Sequence, residues 1–343
     1  MLKTGAYPAF PDLFPFFTRL RFLILHVGFT ITSFSDEDEK NPDIHSKNVK
    51  KEEKINMNKI AKIAALAALA LTCVASTACA DFSADKSITV ISREEGSGTR
   101  GVFVELTGVE QKIDGKKVDM TTDDAQITNN TAAMLMTVAG DTQAIGYVSL
   151  GSLNETVKAV KIEGVEATAQ NVADGSYKIA RPFNIAYKAD GQSDLSKDFI
   201  AYVMSAEGQA IINENGYVGS SDAAAYMANG ASGKLVVGGS SSVSPLMEKL
   251  IEAYKTVNPN AELELLTSDS TTGVSGALDG TYTIGMASRE LKDSEVEGGA
   301  KATVLALDGI AVVVNPANTT EDLTVDQIKG IYTGELTTWA DVQ

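Results

Sequence analysis

Short apolar runs alternate with helical segments from residue 87 to residue 333, and this alternation constrains the fold more than any other feature. Several runs are almost continuously apolar, which is typical of parallel strands buried on both faces. The predicted strands are 87–92, 144–149, 158–162, 183–187, 234–237, 262–266, 283–287 and 310–314. The predicted helices are 99–106, 130–139, 194–204, 206–215, 245–258, 272–279 and 324–333. The pattern therefore predicts an α/β protein.

Residues 57–80 have the layout of a secretory signal. Lys59 and Lys62 form a basic start, and an Ala- and Leu-rich run of about 12 residues follows, which is shorter than the ~20 needed for a membrane-spanning helix. Ala78-Cys79-Ala80 fits a cleavage site that would leave Asp81 as the mature N-terminus. Lipoprotein processing at Cys79 is the alternative, although Ser76 stands where such signals normally have Leu. Both outcomes remain open.

Residues 1–56 differ from the rest of the chain, being Phe-rich and then charged, without a sustained period. We interpret them as a non-native extension upstream of a true start at Met57. The interpretation predicts that the precursor in an export-blocked cell begins at Met57, as N-terminal sequencing would show.

The composition after residue 80 excludes several classes of function. Both histidines and both cysteines lie at or before that position, so Ser-His-Asp and Cys-His catalysis, His or Cys zinc sites and disulfides are excluded. No cofactor and no metal are expected. Subtracting the 10 basic and 8 acidic residues of positions 1–80 from totals of 29 and 45 leaves a net charge of −18. Such a surface argues against nucleic acid as a partner, and any anion site must be built locally.

Three Ser/Thr/Gly clusters, at 96–99, 238–242 and 268–273, each lie between an apolar strand and a helix. Glycines let backbone N–H groups approach a ligand, hydroxyls add donors, and a following helix points its positive end at the same place. Three such corners, with Arg93 adding a charge-assisted bond, would envelop a tetrahedral oxyanion.

A single cluster of this kind is ordinarily only a turn with an N-cap, and that alternative stays open for each one. By itself, Ser288-Arg289-Glu290 after the strand at 283–287 indicates a solvated helix start. Asn129-Asn130-Thr131 is most simply a helix cap.

Read together, six segments resemble the substrate-binding proteins of phosphate ABC transporters. The R-x-x-G-S-G-T and IYTGE…W elements are the most specific, and the resemblance covers nearly all of residues 85–343. It implies a two-lobed periplasmic-binding-protein-like fold of type II, in which two crossover strands join the lobes and the lobes close over phosphate. The six segments are ISREEGSGTR (91–100), AIGYVSL (144–150), VVGGSSSVSPLM (236–247), SDSTTG (268–273), IGMASREL (284–291) and IKGIYTGELTTW (328–339).

The order of these segments differs from the ordinary family layout, in which GGSSSV comes first and IYTGE…TTW precedes R-x-x-G-S-G-T. The chain is therefore interpreted as circularly permuted, with the linker at 220–233 rejoining the ordinary termini. Lobe A would comprise 81–181 plus 313–343 and lobe B 182–312, with crossovers near 181–187 and 308–315. A truncated tandem or a misassembled gene would give the same order.

The resemblance also implies site residues. The phosphate contacts carry over to Arg93, Ser97, Gly98, Thr99, Ser241, Ser242 and Ser270, with Ser288 as a further donor. The register of the second cluster is open by one residue, so Ser240 or Val243 could substitute. Many members have an acidic acceptor for the proton of hydrogen phosphate where this chain has Arg289, and we consider Asp269 or Glu94 as replacements.

The sequence thus predicts an exported monomeric binding protein that gives inorganic phosphate to the permease of an ABC importer and is not an enzyme. It would be lipid-anchored at Cys79 outside the membrane, or free in the periplasm or medium. Sulfate, molybdate or another oxyanion is the nearest alternative. A hydrolase using Ser97 or Ser270 is the rival from another class; it would need a Lys or carboxylate base, and Ser83-x-x-Lys86 has only a bare S-x-x-K spacing.

Overall fold

The computed structural model describes residues 81–342, apart from 189 and 191. The proposed upstream extension, the signal at 57–80 and Cys79 lie outside the described residues.

Strands and helices alternate along most of the described chain. The strands are β1 (Thr89–Arg93), β2 (Glu110–Ile113), β3 (Lys116–Asp119), β4 (Gln126–Thr128), β5 (Ala144–Ser149), β6 (Lys158–Ala159), β7 (Lys161–Ile162), β8 (Ala180–Lys188), β9 (Gly233–Ser240), β10 (Ala261–Ser268), β11 (Ile284–Ala287), β12 (Ala300–Val314) and β13 (Asp322–Leu323). The α-helices are α1 (Gly98–Leu106), α2 (Thr131–Gly140), α3 (Ala169–Ala173), α4 (Asp194–Val203), α5 (Ala206–Glu214), α6 (Ser244–Val257), α7 (Ser270–Asp279), α8 (Asp293–Glu297) and α9 (Val325–Thr333).

Most strands join one mixed sheet in the order β10-β9-β11-β8-β12-β5-β1-β4, with β6 also pairing with β12. The strands β9, β10 and β11 form one parallel group, and β1, β4 and β5 form another. The antiparallel strands β8 and β12 connect the groups. Because β12 has 15 residues, it pairs first with β8 and then with β5. The sheet thus passes from one half of the molecule to the other through two strands.

Buried apolar side chains form separate clusters on either side of this passage. One cluster contains residues between 183 and 306, and another contains residues of 90–179 and 310–342. Each parallel group is therefore covered by its own core, which gives the two-lobed architecture implied by the resemblance. We use lobe A and lobe B for the halves that carry β1 and β9, respectively.

Every predicted helix is present, with ends that differ by no more than two residues. The predicted strands at 183–187 and 234–237 are three residues short at one end, and two other strand predictions were wrong in extent by more. Residues 158–162 form two short strands, because β6 pairs with β12 and β7 pairs with β13. The strand predicted at 310–314 is the end of β12, whose earlier part is separated from that apolar run in the sequence by Asp308-Gly309. The β2–β3 hairpin, β4, β13, α3 and α8 were not predicted.

Residues 220–232 contain no helix or strand, but they are tied firmly to lobe B. The buried Asp198 carboxylate accepts hydrogen bonds from Tyr226 Oη (2.7 Å), Tyr254 Oη (2.6 Å) and the Asn229 backbone N–H (3.1 Å). Ala206 N–H also donates to Ala224 O over 2.8 Å. The segment therefore packs as a strap along α4 and α5.

Residues near the two ends of the described chain are neighbours. Ile88 N–H donates to Thr337 O and Ala340 N–H to Ala84 O, each over 2.8 Å. The ring of Phe82 meets that of Trp339 edge-on, with centroids 6.1 Å apart. The segment before β1 thus adjoins the segment that follows α9.

Candidate functional site

Five strands from both lobes end at one place. The carboxyl ends of β1 and β4 from lobe A meet those of β9, β10 and β11 from lobe B, which is where open α/β sheets bind ligands. The helices α1, α2, α6 and α7 begin just beyond four of these ends. The N-caps of α1 and α7 belong to the Ser/Thr/Gly clusters, α6 directly follows the cluster at 238–242, and α2 begins at Thr131. The positive ends of four helix dipoles are therefore directed toward this region.

Arg93 lies at the end of β1 and reaches across to lobe B. Its Nη2 donates to Ser241 Oγ over 3.0 Å, while Nε and Nη2 bind the Glu94 carboxylate over 2.7 Å each. The Arg93 backbone N–H donates to Tyr147 Oη. Ser241 Oγ also accepts from the Thr131 backbone N–H over 3.2 Å. One serine of lobe B is thus held by a guanidinium and a helix start of lobe A.

Thr99 provides the second connection between the lobes. Its Oγ1 lies 2.8 Å from Ser242 Oγ and 3.3 Å from Ser288 Oγ. Ser288 Oγ is in turn 3.0 Å from Ser240 Oγ and 3.3 Å from Ser270 Oγ. All five hydroxyls are less than a tenth exposed. These five hydroxyls form a continuous cluster between the lobes. We use the name hydroxyl cluster for these five residues together with Ser241 and Thr131.

Two glycines permit this close approach. A Cβ on Gly98 would lie 2.5 Å from Ser270 Oγ and 2.9 Å from Ser288 Oγ, so any side chain there would displace these side chains of lobe B. Gly239 has φ of 133°, and a Cβ on it would lie 2.5 Å from Met286 O. Both positions therefore need glycine because a Cβ would come too close to neighbouring atoms, and Gly239 needs it also because of its positive φ.

Comparison with known proteins decides the family. Residues 24–207 and 224–343 match the sequence model of the PBP superfamily domain. The chain is 53% identical over 261 residues to phosphate-binding protein PstS 2 of Streptococcus agalactiae serotype V, which covers 76% of this chain and 89% of that protein. The chain belongs to the phosphate-binding proteins of the PBP superfamily.

Two further comparisons agree. Phosphate-binding protein PstS 2 of Streptococcus pneumoniae serotype 4 is 42% identical over 276 residues, covering 80% of this chain and 94% of that protein. The crystal structure of a phosphate ABC transporter phosphate-binding protein from S. pneumoniae TIGR4 superposes with a TM-score of 0.61 at 43% identity, covering 75% of this chain and all of that one. The periplasmic-binding-protein-like α/β fold is therefore shown.

All eight residues that family resemblance assigned to phosphate contact lie at this junction, although not all in the same way. Arg93, Thr99, Ser241, Ser242, Ser270 and Ser288 bond one another directly, as described above. Gly98 packs against them. Ser97 is buried beside them, but its Oγ accepts the Arg100 backbone N–H and so caps α1. Of the two open substitutes, Ser240 joins the hydroxyl cluster, whereas Val243 packs in the lobe B core.

The interpretation of Ser288 and Arg289 as a solvated helix start was wrong. Ser288 is 1% exposed because it lies between the lobes against Thr99, and Arg289 is 9% exposed because it packs against Glu295 and Thr271 of its own lobe. The Arg289 guanidinium forms two bonds with Glu295, of 2.8 and 2.7 Å, and a third with Thr271 Oγ1. Burial by itself would raise the pKa of Glu295. The hydrogen bonds from the Arg289 guanidinium and the Lys292 backbone N–H outweigh this effect, so the pKa of Glu295 is lowered. The position for which the resemblance implied an acidic acceptor thus holds Arg289, a cation that is paired with Glu295.

The two carboxylates considered as replacement acceptors are engaged elsewhere. Glu94 holds the Arg93 guanidinium. Asp269 caps α7 by accepting from Thr272 N–H over 2.9 Å and Thr272 Oγ1 over 2.6 Å. Among the described residues, no carboxylate is hydrogen-bonded to the hydroxyl cluster.

Sequence reasoning missed three contributors. Asn130 caps α2, as predicted, but Thr131 beside it also lies 3.3 Å from Ser241 Oγ and 3.4 Å from Ser242 Oγ. Tyr147 bonds Ser92 and Arg93 from β5, and burial raises its pKa to about 12. Arg181 of β8 donates from Nη2 to Thr99 Oγ1 over 2.9 Å. Arg181-Pro182 has no Gly or Ser neighbour that would have indicated a binding corner.

The junction opens into a cleft of about 1220 Å³ between the lobes. Thr131 and Ser241 lie at its edge, Leu135 lines it from lobe A, and Ile251 and Leu265 line it from lobe B. The described residues contain no helix long and apolar enough to cross a membrane.

Proposed function

We propose that this chain captures inorganic phosphate between its two lobes and passes it to the membrane permease of an ABC importer. The observation that carries the proposal is the meeting of Arg93 with the hydroxyl cluster, whose members come from both lobes. The proposal agrees with the printed names of the relatives.

The junction suits a tetrahedral anion for a physical reason. Hydroxyls and helix starts offer donors from several directions, and a buried donor without an acceptor is costly, so an anion that satisfies several at once favours the closed arrangement. The ligand would stabilise closure because only the closed form brings Arg93 and Thr99 against lobe B. Phosphate binding and closure are thus the same event.

We further propose that the protein is not an enzyme. The sequence from residue 81 has no His or Cys. In the described structure, Ser97 Oγ pairs with a backbone N–H and Ser270 Oγ with Ser288, so neither of the serines considered as a nucleophile is hydrogen-bonded to a Lys or a carboxylate. Capture and release need no chemical step.

Another tetrahedral oxyanion is the second candidate, because no carboxylate contacts the hydroxyl cluster in the described residues. A carboxylate repels fully ionised sulfate and accepts the proton of hydrogen phosphate. With Arg289 at that position, discrimination would depend on hydroxyl and backbone acceptors alone. We expect sulfate to compete more strongly here than in family members with an acidic residue there.

A thermal-shift panel of phosphate, sulfate, molybdate and arsenate tests both candidates, because a ligand that binds the folded state raises Tm by mass action. Phosphate should give the largest rise at equal concentration. A rise with sulfate or molybdate but not phosphate would replace the proposal by the second candidate, and turnover of a chromogenic phosphate ester or acyl ester would favour the hydrolase.

We also propose the lobe boundaries and the permuted order. Lobe A would comprise 81–181 and 313–343, lobe B 182–312, and the strap at 220–233 would join the ordinary termini. The core cluster changes between residues 306 and 310, which supports a boundary in this part of β12 but groups Ile310 and Val312 with lobe A. A single match over 261 residues to the S. agalactiae protein supports a natural rather than a misassembled order. A rearranged gene that opens the strap and joins residue 343 to residue 85 should fold and bind phosphate with unchanged affinity.

Finally, we propose export through the signal at 57–80, preceded by a non-native extension at 1–56. The protein would act as a monomer, either free or anchored by lipid at Cys79, and would not bind nucleic acid. Fatty-acid labelling of the unaltered chain and of Cys79→Ala distinguishes anchoring from free secretion, and sedimentation tests the monomer.

A further inference from the structure

Arg181 occupies a distinctive place between the lobes. It lies on β8 directly opposite Asp308 of β12, so both residues belong to the two strands that connect the lobes. Its side chain is completely buried, as is that of Asp308. The guanidinium also lies over the ring of Phe183, with 5.1 Å between Cζ and the ring centroid. A full charge is therefore held in the core beside the anion site.

The Arg181 guanidinium makes a hydrogen bond to Thr99 but none to its charge partner Asp308. Nη1 approaches Asp308 Oδ2 to 3.2 Å, but without hydrogen-bond geometry, and Nε has no partner among the described residues. Nη2 donates to Thr99 Oγ1 over 2.9 Å. An ion pair that served stability alone would satisfy its polar atoms, because a buried charge pair is costly when they are left unpaired. The well-formed bond of Arg181 is the one to Thr99.

That bond restricts what the Thr99 hydroxyl can do. A hydroxyl has one proton and two acceptor sites. Because Arg181 fills an acceptor site, the Thr99 proton must point elsewhere, and the other neighbours of Oγ1 are Ser242 and Ser288 of lobe B. The hydroxyl thus presents its proton toward the middle of the hydroxyl cluster.

We propose that Arg181 is a positioning residue of the anion site, which orients the Thr99 hydroxyl as a donor from the strands that join the lobes. This inference rests on the proposed binding of phosphate. Arg181 contributes through Thr99 and differs in this from Arg93, which reaches Ser241 directly. The partner Asp308 keeps the added positive charge compensated, so the site gains an oriented donor without a second net charge.

A double-mutant cycle tests the coupling. Arg181→Met is combined with Asp308→Asn, so that neither charge is left alone in the core, and the pair is introduced with Thr99 intact and with Thr99→Val. Calorimetric titration with inorganic phosphate should show a loss of about tenfold to a hundredfold when Thr99 is present, the range of one charge-assisted hydrogen bond. In the Thr99→Val background the same pair should cost less than about threefold, since the hydroxyl it orients is gone.

The Arg289–Glu295 pair provides a matched control, because it is also a largely buried arginine–carboxylate pair beside the site but does not touch Thr99. Arg289→Met with Glu295→Gln should have the same effect in both Thr99 backgrounds. If the Arg181 pair also behaves additively, the positioning role is wrong and Arg181 is structural.

A second variant guards against a folding defect. Arg181→Lys retains a cation that can donate to Thr99, and it should keep phosphate affinity within about fivefold, whereas Arg181→Gln, with a shorter reach, should not. Equal affinities of these two variants, with unchanged Tm, would overturn the inference. Failure of the unaltered chain to bind phosphate would instead overturn the proposed function and, with it, this inference.

Discussion

Arg93 Nη2 lies 3.0 Å from Ser241 Oγ, and this bond joins residues 148 positions apart on opposite lobes. Ser241 Oγ also accepts from the Thr131 backbone N–H of lobe A over 3.2 Å, so two elements of lobe A hold the same serine of lobe B. On the proposed function, this contact between the lobes would form on closure and would link anion capture to it.

Removal of the Arg93 side chain should weaken phosphate binding severely. We expect Arg93→Ala to cost more than about 2 kcal/mol, roughly thirtyfold in Kd, because a buried charge-assisted donor is lost while the hydroxyls remain. Calorimetry measures the change. Lys197→Ala, which removes an exposed ammonium near Asp194, is the control and should bind normally. Unchanged affinity in Arg93→Ala would refute the site assignment.

Closure should be blocked by one added methyl group at Gly98. In Gly98→Ala the new Cβ would lie 2.5 Å from Ser270 Oγ, so we expect a clash of about 1 to 3 kcal/mol, which is roughly a fivefold to 150-fold loss of phosphate affinity. Gly101→Ala in the same helix meets no atom within 4 Å and should bind normally, with stability raised by up to about 1 kcal/mol. Equal affinities of the two variants would show that the closed contact is not needed.

The attachment of the strap to lobe B, and with it the stability of the fold, should depend on Asp198. Asp198→Ala leaves two tyrosine hydroxyls and the Asn229 N–H without their common acceptor, so we expect the free energy of unfolding to fall by about 2 to 4 kcal/mol. Urea denaturation measures this. Asp194→Ala in the same helix removes an exposed carboxylate and should change stability by less than about 0.5 kcal/mol. Phosphate affinity of the folded Asp198 variant should not change, because the strap lies away from the site.

Asp308 should give a recognisable pH dependence of stability. Burial raises its pKa to about 6, although Arg181 opposes this shift. The folded protein therefore binds this proton more tightly than the unfolded chain, whose Asp has a pKa of about 3.9. The contribution of Asp308 to stability rises as pH falls from about 6 to 4, by at most about 3 kcal/mol.

The comparison with Asp308→Asn isolates that contribution. Carboxylates with lowered pKa, such as Glu295, act in the opposite direction, because they lose stability as pH falls. These groups are common to both proteins, so the stability of the unaltered chain minus that of Asp308→Asn should increase from pH 7 to pH 4. Parallel pH profiles of the two proteins would contradict the prediction.

Local patterns predicted most of the fold. Near-continuous apolar runs identified β5 and the buried end of β12, and the helix periods identified α1, α2, α4, α5, α6, α7 and α9. The short and exposed elements were missed, since β2, β3 and β13 have few buried residues and little apolar signal. Their formation depends on partners that are distant or exposed.

The sequence by itself determined the α/β class, the absence of His and Cys after residue 80 and the Ser/Gly corners, because these follow from residue type and local spacing. Only the tertiary structure decided which corners meet, that Arg289 turns to Glu295, and that Arg181 reaches Thr99. Such contacts join residues far apart in the chain, and their geometry is set by how the two strands β8 and β12 hold the lobes together.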